Sequence, residues 1–348
     1  MKQKGKRILK ITALSLAGLL AVTVLTAGII LYGRIASMLS IKHIGDDLYT
    51  MHYHQNYHLD KALAAEIKNE EDLLKFVCDD IFFGYQIDSN LSKYGCAAFF
   101  TPTPDGKYLA GRNFDLDGSD TLCLYTHPKD GYASISTVST DMIAVGEGND
   151  YATTSFMGRA ALLAAPYMGV DGMNEKGLTA SLLDTDRHSE THLNTERPDL
   201  TVSMAIRLLL DRAATVDEAI ALLAQYDINT SHGWTQHIFL ADANGDAAVA
   251  EWYNDEVKAV RYPVCTNFRL LDWQSEEDYE GHCNRFDVLD QSLKEKPAHT
   301  AEDSMKLLEA VKQNDTIWSA VFHLTDFSVD YAVSRDYKHV YHINPQVF

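Results

Sequence analysis

The sequence predicts an α+β sandwich, in which helices cover two packed sheets, preceded by one membrane-spanning helix. Three observations support this prediction. Strand-like segments joined by short turns recur from residue 96 to the C-terminus, helical segments lie between groups of them, and a long apolar run precedes them all. No repeat, low-complexity stretch or Pro/Gly-rich linker divides residues 96–348, so we expect one domain there.

The apolar run extends from Ile8 to Tyr32 and contains no acidic residue and one basic residue, Lys10. As a helix it could cross a hydrocarbon layer of roughly 30 Å. A cleaved signal peptide is the alternative, but its apolar region normally spans only about 7 to 15 residues. Since basic residues precede the run, the positive-inside rule places residue 1 in the cytoplasm. We therefore expect residues 1–35 to be a cytoplasmic tip and anchor, with the catalytic part outside the cell membrane.

Charge and cysteine content exclude several classes of function. The formal net charge is -19, and five of the 30 basic residues precede residue 11, which leaves 25 basic against 49 acidic residues beyond it. A nucleic-acid partner is therefore not expected, because this surface would repel phosphates. The five cysteines include no C-x-x-C pair, and their odd number leaves at least one thiol unpaired. No metal and no other cofactor is predicted.

The elements follow in order along the chain. Residues 36–95 have mixed character with one predicted helix at 70–83, and strand-like composition begins only at Cys96. Thr215 and Glu218 have the spacing of a capping box, as do Thr300 and Asp303. Further helices are predicted at 202–212, 216–226 and 301–312, and strands at 97–103, 108–114, 169–173, 178–183, 237–241, 247–252, 316–324, 328–333 and 338–343.

Both strands of the first predicted hairpin contain candidate catalytic residues. Cys96 opens one strand, and Arg112 and Asp115 end the return strand, so antiparallel pairing brings the three side chains together. A guanidinium favours a thiolate, and a carboxylate can hold an ammonium group. If the bond before Cys96 were cut, its α-amine, with an ordinary pKa of about 7.7 to 8.0, would be a base suited to neutral pH. The residues alone leave open an ordinary hairpin with a surface Arg–Asp pair.

Several motifs in order resemble the choloylglycine hydrolase family, which includes bile salt hydrolases and penicillin V acylases. They are Cys96, Gly111-Arg112-Asn113-Phe114-Asp115, Asp171-Gly172-Met173-Asn174-Glu175-Lys176-Gly177-Leu178, Cys265-Thr266-Asn267, Asn284-Arg285-Phe286 and Trp318-Ser319-Ala320-Val321-Phe322. Arg112 and Asp115 follow the cysteine by 16 and 19 residues, which is similar to the family's spacing. The resemblance covers essentially all of residues 96–348.

The resemblance implies a four-layer αββα fold of the N-terminal-nucleophile (Ntn) hydrolase type and hydrolysis of linear amides through an acyl-enzyme. Each matching residue then receives a role: Cys96 as nucleophile with its own α-amine as base, Arg112 as support for the thiolate, Asp115 as holder of the α-amine, Asn267 as oxyanion donor and Arg285 as a brace. Asp184 stands where the family usually has Asn or Tyr at the oxyanion hole, so it and Asn174 are candidate oxyanion or substrate-binding residues. By itself, Asn174 is typical of a turn.

The long segment before Cys96 resembles relatives that are made as precursors, such as penicillin acyltransferases and acid ceramidase. We therefore expect cleavage between Gly95 and Cys96. Residues 36–95 would be a pro-segment, and residues 1–95 would remain bound as an α chain to the catalytic domain, residues 96–348.

The predicted function is hydrolysis of a small-molecule N-acyl amide of the bile salt, penicillin V or N-acyl amino acid type. Three alternatives remain: acyl transfer to an amine, a catalytically silent surface protein that binds a ligand, and a metal-binding module built on His52, His54 and His58. Assembly into a homo-oligomer is left open.

Overall fold

A computed structural model describes residues 2–89, 94–118, 120–144, 151–185, 191–230, 233, 235–273 and 275–348. The described α-helices are α1 Lys2–Leu39, α2 Leu59–Leu63, α3 Glu70–Asp80, α4 Tyr151–Thr154, α5 Phe156–Ala161, α6 Val202–Arg212, α7 Val216–Leu223, α8 Asn284–Glu295 and α9 Ala301–Ala310. The described strands are β1 Lys42–Gly45, β2 Leu48–Tyr53, β3 Asp88–Ser89, β4 Gly95–Pro102, β5 Tyr108–Asp115, β6 Thr121–Thr126, β7 Ser134–Ser139, β8 Ile143–Ala144, β9 Asp171–Asn174, β10 Thr179–Asp184, β11 Asp199–Thr201, β12 Asp227–Asn229, β13 Gln236–Ala241, β14 Ala247–Tyr253, β15 Glu256–Val260, β16 Val264–Cys265, β17 Thr316–His323, β18 Ser328–Val333 and β19 Tyr341–Ile343.

The segment predicted to span a membrane, residues 8–32, lies inside α1. Among the residues that the structure describes, no helix has the length and apolar character needed to cross a membrane. The prediction of a membrane-spanning helix is therefore without support from this structure.

Two large sheets form the body of the molecule. The larger has nine strands in the order β1-β2-β6-β7-β9-β10-β13-β14-β15, and the smaller has six in the order β16-β4-β5-β17-β18-β19. All neighbouring strands in the smaller sheet are antiparallel, whereas β2 and β6 of the larger sheet are parallel. The predicted α+β class is confirmed.

The two sheets pack face to face. Trp318 of β17 donates a hydrogen bond to Asp171 of β9, and Tyr331 of β18 is hydrogen-bonded to Thr137 of β7, so side chains of the smaller sheet reach the larger one. Helix α6 packs on β9 and β10, while α9 packs on β5 and β17. Helices therefore cover the outer faces of the sheets, and the core lies between the sheets and under the helices.

Most predicted elements from residue 97 onward are present, with α6 and β18 at their predicted limits. The expectation that strands begin only at Cys96 is wrong, because β1 and β2 precede it and join the edge of the larger sheet. Several strands beyond residue 96 were not predicted, among them β6 and β7 of the larger sheet. Their threonine, tyrosine, isoleucine and valine residues are common in strands, and all but one of the side chains in these two strands are buried.

Candidate active site

Cys96 lies near the start of β4 and is fully buried between the two sheets. Its thiol is 3.8 Å from the carbonyl oxygen of Leu182 in β10, and its strand partner is Phe114 in β5. Burial raises the pKa of the thiol well above its usual range, while the charge of Arg112 acts in the opposite direction. In the uncut chain the thiol is therefore held in its neutral form.

Arg112 lies directly beside this thiol, as the hairpin pairing predicts. Its Nη2 donates to the carbonyl oxygen of Leu182 at 2.7 Å, the same oxygen that the Cys96 thiol approaches. Its Nε donates to Asp171 Oδ2 at 3.1 Å, and that oxygen also accepts the Trp318 indole N–H at 3.0 Å. Arg112 and Asp171 thus form a fully buried ion pair, which fixes the guanidinium in the space between the sheets.

Asp115 and Arg285 meet beside Gly95 and Cys96. Asp115 is the strand partner of Gly95, and its carboxylate accepts from Thr316 Oγ1 at 2.5 Å and from Arg285 Nη1 at 3.1 Å. Arg285, at the start of α8, also donates to the carbonyl oxygen of Cys96 at 2.6 Å. Asp115 is therefore close to the nitrogen that cleavage would free, which is compatible with its predicted role toward the α-amine.

Asn267 contacts the same peptide bond from the other side. Its Oδ1 accepts the backbone N–H of Cys96 at 2.8 Å and a hydrogen bond from Arg285 Nη2 at 2.7 Å. Its Nδ2 donates to the carbonyl oxygen of Asp184 at 2.6 Å. The Asn267 amide thus holds the nitrogen of the peptide bond between Gly95 and Cys96, and its donor group is occupied by a carbonyl.

Asp184 lies at the end of β10 and is fully buried. Its carboxylate accepts the backbone N–H of Tyr94 at 2.9 Å and the side-chain amide N–H of Gln236 at 2.7 Å. The side chain therefore faces the residues that precede the cleavage bond. As an acceptor it cannot donate to an oxyanion, so its contribution there would be limited to its backbone.

Asn174 is not brought to this site. Asp171 points between the sheets toward Arg112, and side chains alternate along β9, so Asn174 points to the outer face. There its Nδ2 donates to the carbonyl oxygens of Leu210 and Ala213 at the end of α6. Asn174 therefore stabilises a turn and a helix end, as its sequence context by itself indicates.

A buried histidine that sequence reasoning missed supports the loop that carries Asn267. Both ring nitrogens of His237 face acceptors: Nε2 lies 2.8 Å from the carbonyl oxygen of Thr266, and Nδ1 lies 3.1 Å from Glu251 Oε1. Burial lowers the pKa of His237, but the neighbouring Cys265 and Glu251 outweigh it and raise the pKa to about 10. The imidazolium thus donates from both nitrogens.

Glu251 completes this support from the adjacent strand β14. Its carboxylate accepts the backbone N–H groups of Leu270 and Leu271 at 2.8 and 2.9 Å, just beyond Asn267. The signal in the sequence is a charged residue inside an apolar strand, at residues 247–253, because a buried charge requires partners. The partners themselves belong to other strands and loops and could not be named from the sequence.

The alternative of a metal site at His52, His54 and His58 is not supported. The ring centroids of His52 and His54 lie 3.9 Å apart with their planes tilted by 34°, whereas His58 pairs with Asp80. Across the described parts of the chain, groups with metal-ligand spacing occur elsewhere, and they are His323 with Asp330 and His342, and Asp46 with Asp336 and His339.

Comparisons with known proteins identify a family for most of the chain. The family model of acyl-coenzyme A:6-aminopenicillanic acid acyl-transferase matches residues 101–336. Penicillin V acylase of Pectobacterium atrosepticum is 25% identical over 223 residues, which cover 60% of this chain and 58% of that protein. The match thus spans less than two thirds of the relative's length.

Solved structures show the same fold. The crystal structure of a mutant conjugated bile acid hydrolase from Clostridium perfringens aligns with a TM-score of 0.54 and 16% identity, over 72% of this chain and 92% of that one. A second variant of that hydrolase aligns with a TM-score of 0.53 and 15% identity, over 72% and 93% of the two chains.

Proposed function

Because the chain belongs to the acyl-coenzyme A:6-aminopenicillanic acid acyl-transferase family, we propose that it is a hydrolase of linear N-acyl amides that uses Cys96 as its nucleophile. One observation carries the proposal: the buried thiol lies beside a fixed guanidinium, and three polar side chains meet around the backbone of Gly95 and Cys96. Asn267 accepts the backbone N–H of Cys96, and Arg285 donates to the carbonyl oxygen of Cys96. Asp115, the strand partner of Gly95, accepts from Arg285. A surface Arg–Asp pair would not need this burial or this convergence.

Activation is self-cleavage between Gly95 and Cys96. The sulfur attacks the carbonyl carbon of Gly95, the C–N bond breaks, and the nitrogen takes up the thiol proton, which leaves a thioester and a free α-amine. Water then attacks the thioester, releases a carboxylate at Gly95 and returns the thiol. In the uncut chain Asn267 holds the leaving nitrogen and Arg285 holds the carbonyl oxygen of Cys96, so both fix the position of the nucleophilic residue, which supports the first step.

Turnover repeats this chemistry on an external amide. The free α-amine of Cys96, held by Asp115, accepts the thiol proton and passes it to the departing amine as the thioester forms. Hydrolysis of the thioester releases the carboxylic acid. The freed α-amine still carries N–H groups, so Asn267 Oδ1 can keep accepting from it and from Arg285. Donation to an oxyanion would come from Asn267 Nδ2, which donates to the carbonyl oxygen of Asp184 before cleavage. The substrate classes named for relatives, penicillin V and conjugated bile acids, are candidates.

We propose that the segment before Cys96 stays bound after cleavage through its residues 48–57, while its last residues, Tyr94 and Gly95, withdraw from the nucleophile. Strand β2 pairs with β6 inside the larger sheet, and Tyr57 donates to the buried Asp211 carboxylate at 2.7 Å. Tyr53 donates to the carbonyl oxygen of Leu163 at 2.8 Å, and Tyr167 donates to the carbonyl oxygen of Tyr57 at 2.6 Å. These contacts are part of the core, so release of the segment would expose it.

We also propose that α1 holds the protein at a membrane, with the catalytic part extracytoplasmic. The support is the apolar run at residues 8–32, the preceding basic residues and the exposure of its described large apolar side chains, which are Leu16, Leu19, Leu20, Val22, Leu25, Leu31 and Tyr32. Extraction of membranes with alkaline carbonate tests it: the protein should stay in the pellet, and release into the supernatant would contradict anchoring.

Acyl transfer to an amine is a second candidate, because the matching family model describes an acyl-transferase. The two reactions differ in what removes the acyl group from Cys96. A transferase would form a new amide at a rate that depends on the concentration of an added amine, whereas a hydrolase would release acid at the same rate with or without it.

The deciding experiment is intact mass and N-terminal sequencing of the full-length protein and of Cys96→Ala, followed by amine-release assays. We expect a new N-terminus at Cys96 in the wild type and an uncut chain in the variant, with amide hydrolysis only in the wild type. An uncut wild-type chain would remove the α-amine base and refute the proposal in favour of a ligand-binding role.

A further inference from the structure

Tyr94 and Gly95 occupy the space beside Cys96 in the uncut chain. They are also the acyl part of the first amide that this nucleophile would cleave. We propose that the acyl subsite of the mature enzyme is the space that these two residues leave. It takes N-acyl amides whose acyl part resembles tyrosylglycine, with an aromatic ring, an amide N–H and an unbranched carbon next to the carbonyl. This inference rests on the proposed function.

Self-cleavage and turnover of an external amide both pass through a thioester at Cys96. The acyl group of the self-cleavage reaction therefore indicates which acyl groups the mature site accepts. In both, the Cys96 sulfur bears an acyl group as a thioester, and only the departing amine differs. The walls around that acyl group are strands β4, β5 and β10, which belong to two packed sheets. A second acyl group joined to the same sulfur therefore meets the walls that surround Tyr94 and Gly95.

The Tyr94 ring indicates an aromatic pocket with a polar end. The side chain is buried, and its ring centroid lies 5.0 Å from that of Phe114, which in turn stacks on Trp318 at 4.2 Å. The phenol oxygen accepts a hydrogen bond from Gln236 Nε2 at 2.6 Å. When Tyr94 leaves, an aromatic wall and an unsatisfied amide donor remain, and a phenol or a similar oxygen-bearing ring fits both.

The backbone N–H of Tyr94 indicates that the acyl group of the substrate has an N–H at the same position. Asp184 Oδ2 accepts that N–H at 2.9 Å, and Asp184 is fully buried. When Tyr94 leaves, Asp184 loses this hydrogen bond, and a buried carboxylate that loses a hydrogen bond is destabilised. An acyl group with an N–H four bonds beyond the unbranched carbon, at the position of the Tyr94 nitrogen, restores the contact. Asp184, which stands where relatives of the resembled family usually have Asn or Tyr, thus serves as an acceptor for the substrate.

The absence of a side chain at Gly95 indicates a third requirement on the acyl group, an unbranched carbon next to the carbonyl. A Cβ built on Gly95 would lie 3.0 Å from Asp115 Oδ2 and 3.1 Å from Asp115 Cβ, closer than nearly all real contacts of this kind. Asp115 cannot easily yield, because Thr316 and Arg285 hold its two carboxylate oxygens. An L-configured branch on the carbon next to the carbonyl is therefore disfavoured.

The test changes the substrate and leaves the protein intact, so no variant has to fold. The full-length processed protein is assayed for release of p-nitroaniline from N-acetyl-tyrosylglycine p-nitroanilide. Three matched substrates each change one feature: alanine replaces glycine, isoleucine replaces tyrosine, or the acetylamino group of tyrosine is replaced by hydrogen. Phenoxyacetyl, phenylacetyl and glycine-conjugated acyl amides are included, and Cys96→Ala gives the background rate.

We expect kcat/KM for the parent substrate to exceed that for each of the three by about tenfold or more, as one mismatched group in a shaped pocket commonly produces. Release that depends on Cys96 but is equal for glycine and alanine, or for tyrosine and isoleucine, would overturn the inference and leave the proposed function standing. Cleavage of the phenoxyacetyl amide alone would do the same. No release from any amide above the Cys96→Ala background would overturn the proposed function and, with it, this inference.

Discussion

Replacing Arg285 with lysine should slow self-cleavage while keeping the positive charge. The guanidinium donates to three acceptors around the bond to be cut, at 2.6 Å to the Cys96 carbonyl, 2.7 Å to Asn267 and 3.1 Å to Asp115. A lysine ammonium is a point charge on a flexible stem and lacks the planar fork that reaches all three. Losing one charge-assisted hydrogen bond costs about 1.5–3 kcal/mol, which is roughly a 10- to 150-fold slower reaction.

The assay follows the uncut and cut chains by gel and intact mass over time after cell-free synthesis. Arg197→Lys is the matched control, since Arg197 is also partly buried and donates to Asp227, Thr195 and the carbonyl oxygen of Asp255. This control should cleave at the wild-type rate. If Arg285→Lys cleaved as fast as the wild type, the three hydrogen bonds would have no part in the reaction and the reasoning would be refuted.

Three further predictions concern buried polar groups. Arg112→Gln leaves the buried Asp171 carboxylate without its cation, so the free energy of unfolding in urea should fall by about 3–5 kcal/mol; adding Asp171→Asn should restore part of that loss. Tyr57→Phe removes the donor to buried Asp211, so the cut N-terminal chain should separate from the catalytic chain at a lower urea concentration, as measured by pull-down. The pKa of His237 is raised to about 10, above its ordinary 6.5, so the stability it confers is complete below about pH 6.5 and is lost as the pH rises through about 10. The unfolding free energy of the wild type should therefore exceed that of His237→Gln by more at pH 7 than at pH 10.

Each of these predictions has an outcome that contradicts it. A double variant at 112 and 171 no more stable than the single variant would mean that the two residues do not act as a pair. If the wild type and Tyr57→Phe retained the N-terminal chain equally, the Tyr57 hydroxyl would have no part in holding that chain to the catalytic chain. A difference between wild type and His237→Gln that is the same at pH 7 and pH 10 would show that the histidine is not protonated in the folded protein.

The first hairpin is the part of the site that the sequence alone determined. A turn at residues 104–106 joins β4 to β5, and the register of such a short connection follows from the turn. That register makes Asp115 the partner of Gly95 and Arg112 the partner of Ala98, two residues from Cys96 on the same face. Because the contacts are local, reading the two strands against each other was enough to place Arg112 on the face of the thiol. The expectation that Asp115 joins them on that face is wrong, because side chains alternate along a strand and Asp115 lies on the opposite face, beside Gly95.

Only the tertiary structure decided the rest. Asp171, Asp184 and Asn267 reach the hairpin from 59 to 171 residues away in the sequence, across the space between two sheets or from a following loop. Alternation along a strand assigns side chains to two faces but does not say which face meets the other sheet, and this choice separated Asp171, at the site, from Asn174, at the outer face. The acidic residue at 184 likewise looked out of place until its partners, Tyr94 and Gln236, were known. These contacts depend on packing between segments that are far apart in the sequence, so the residue pattern of one segment cannot predict them.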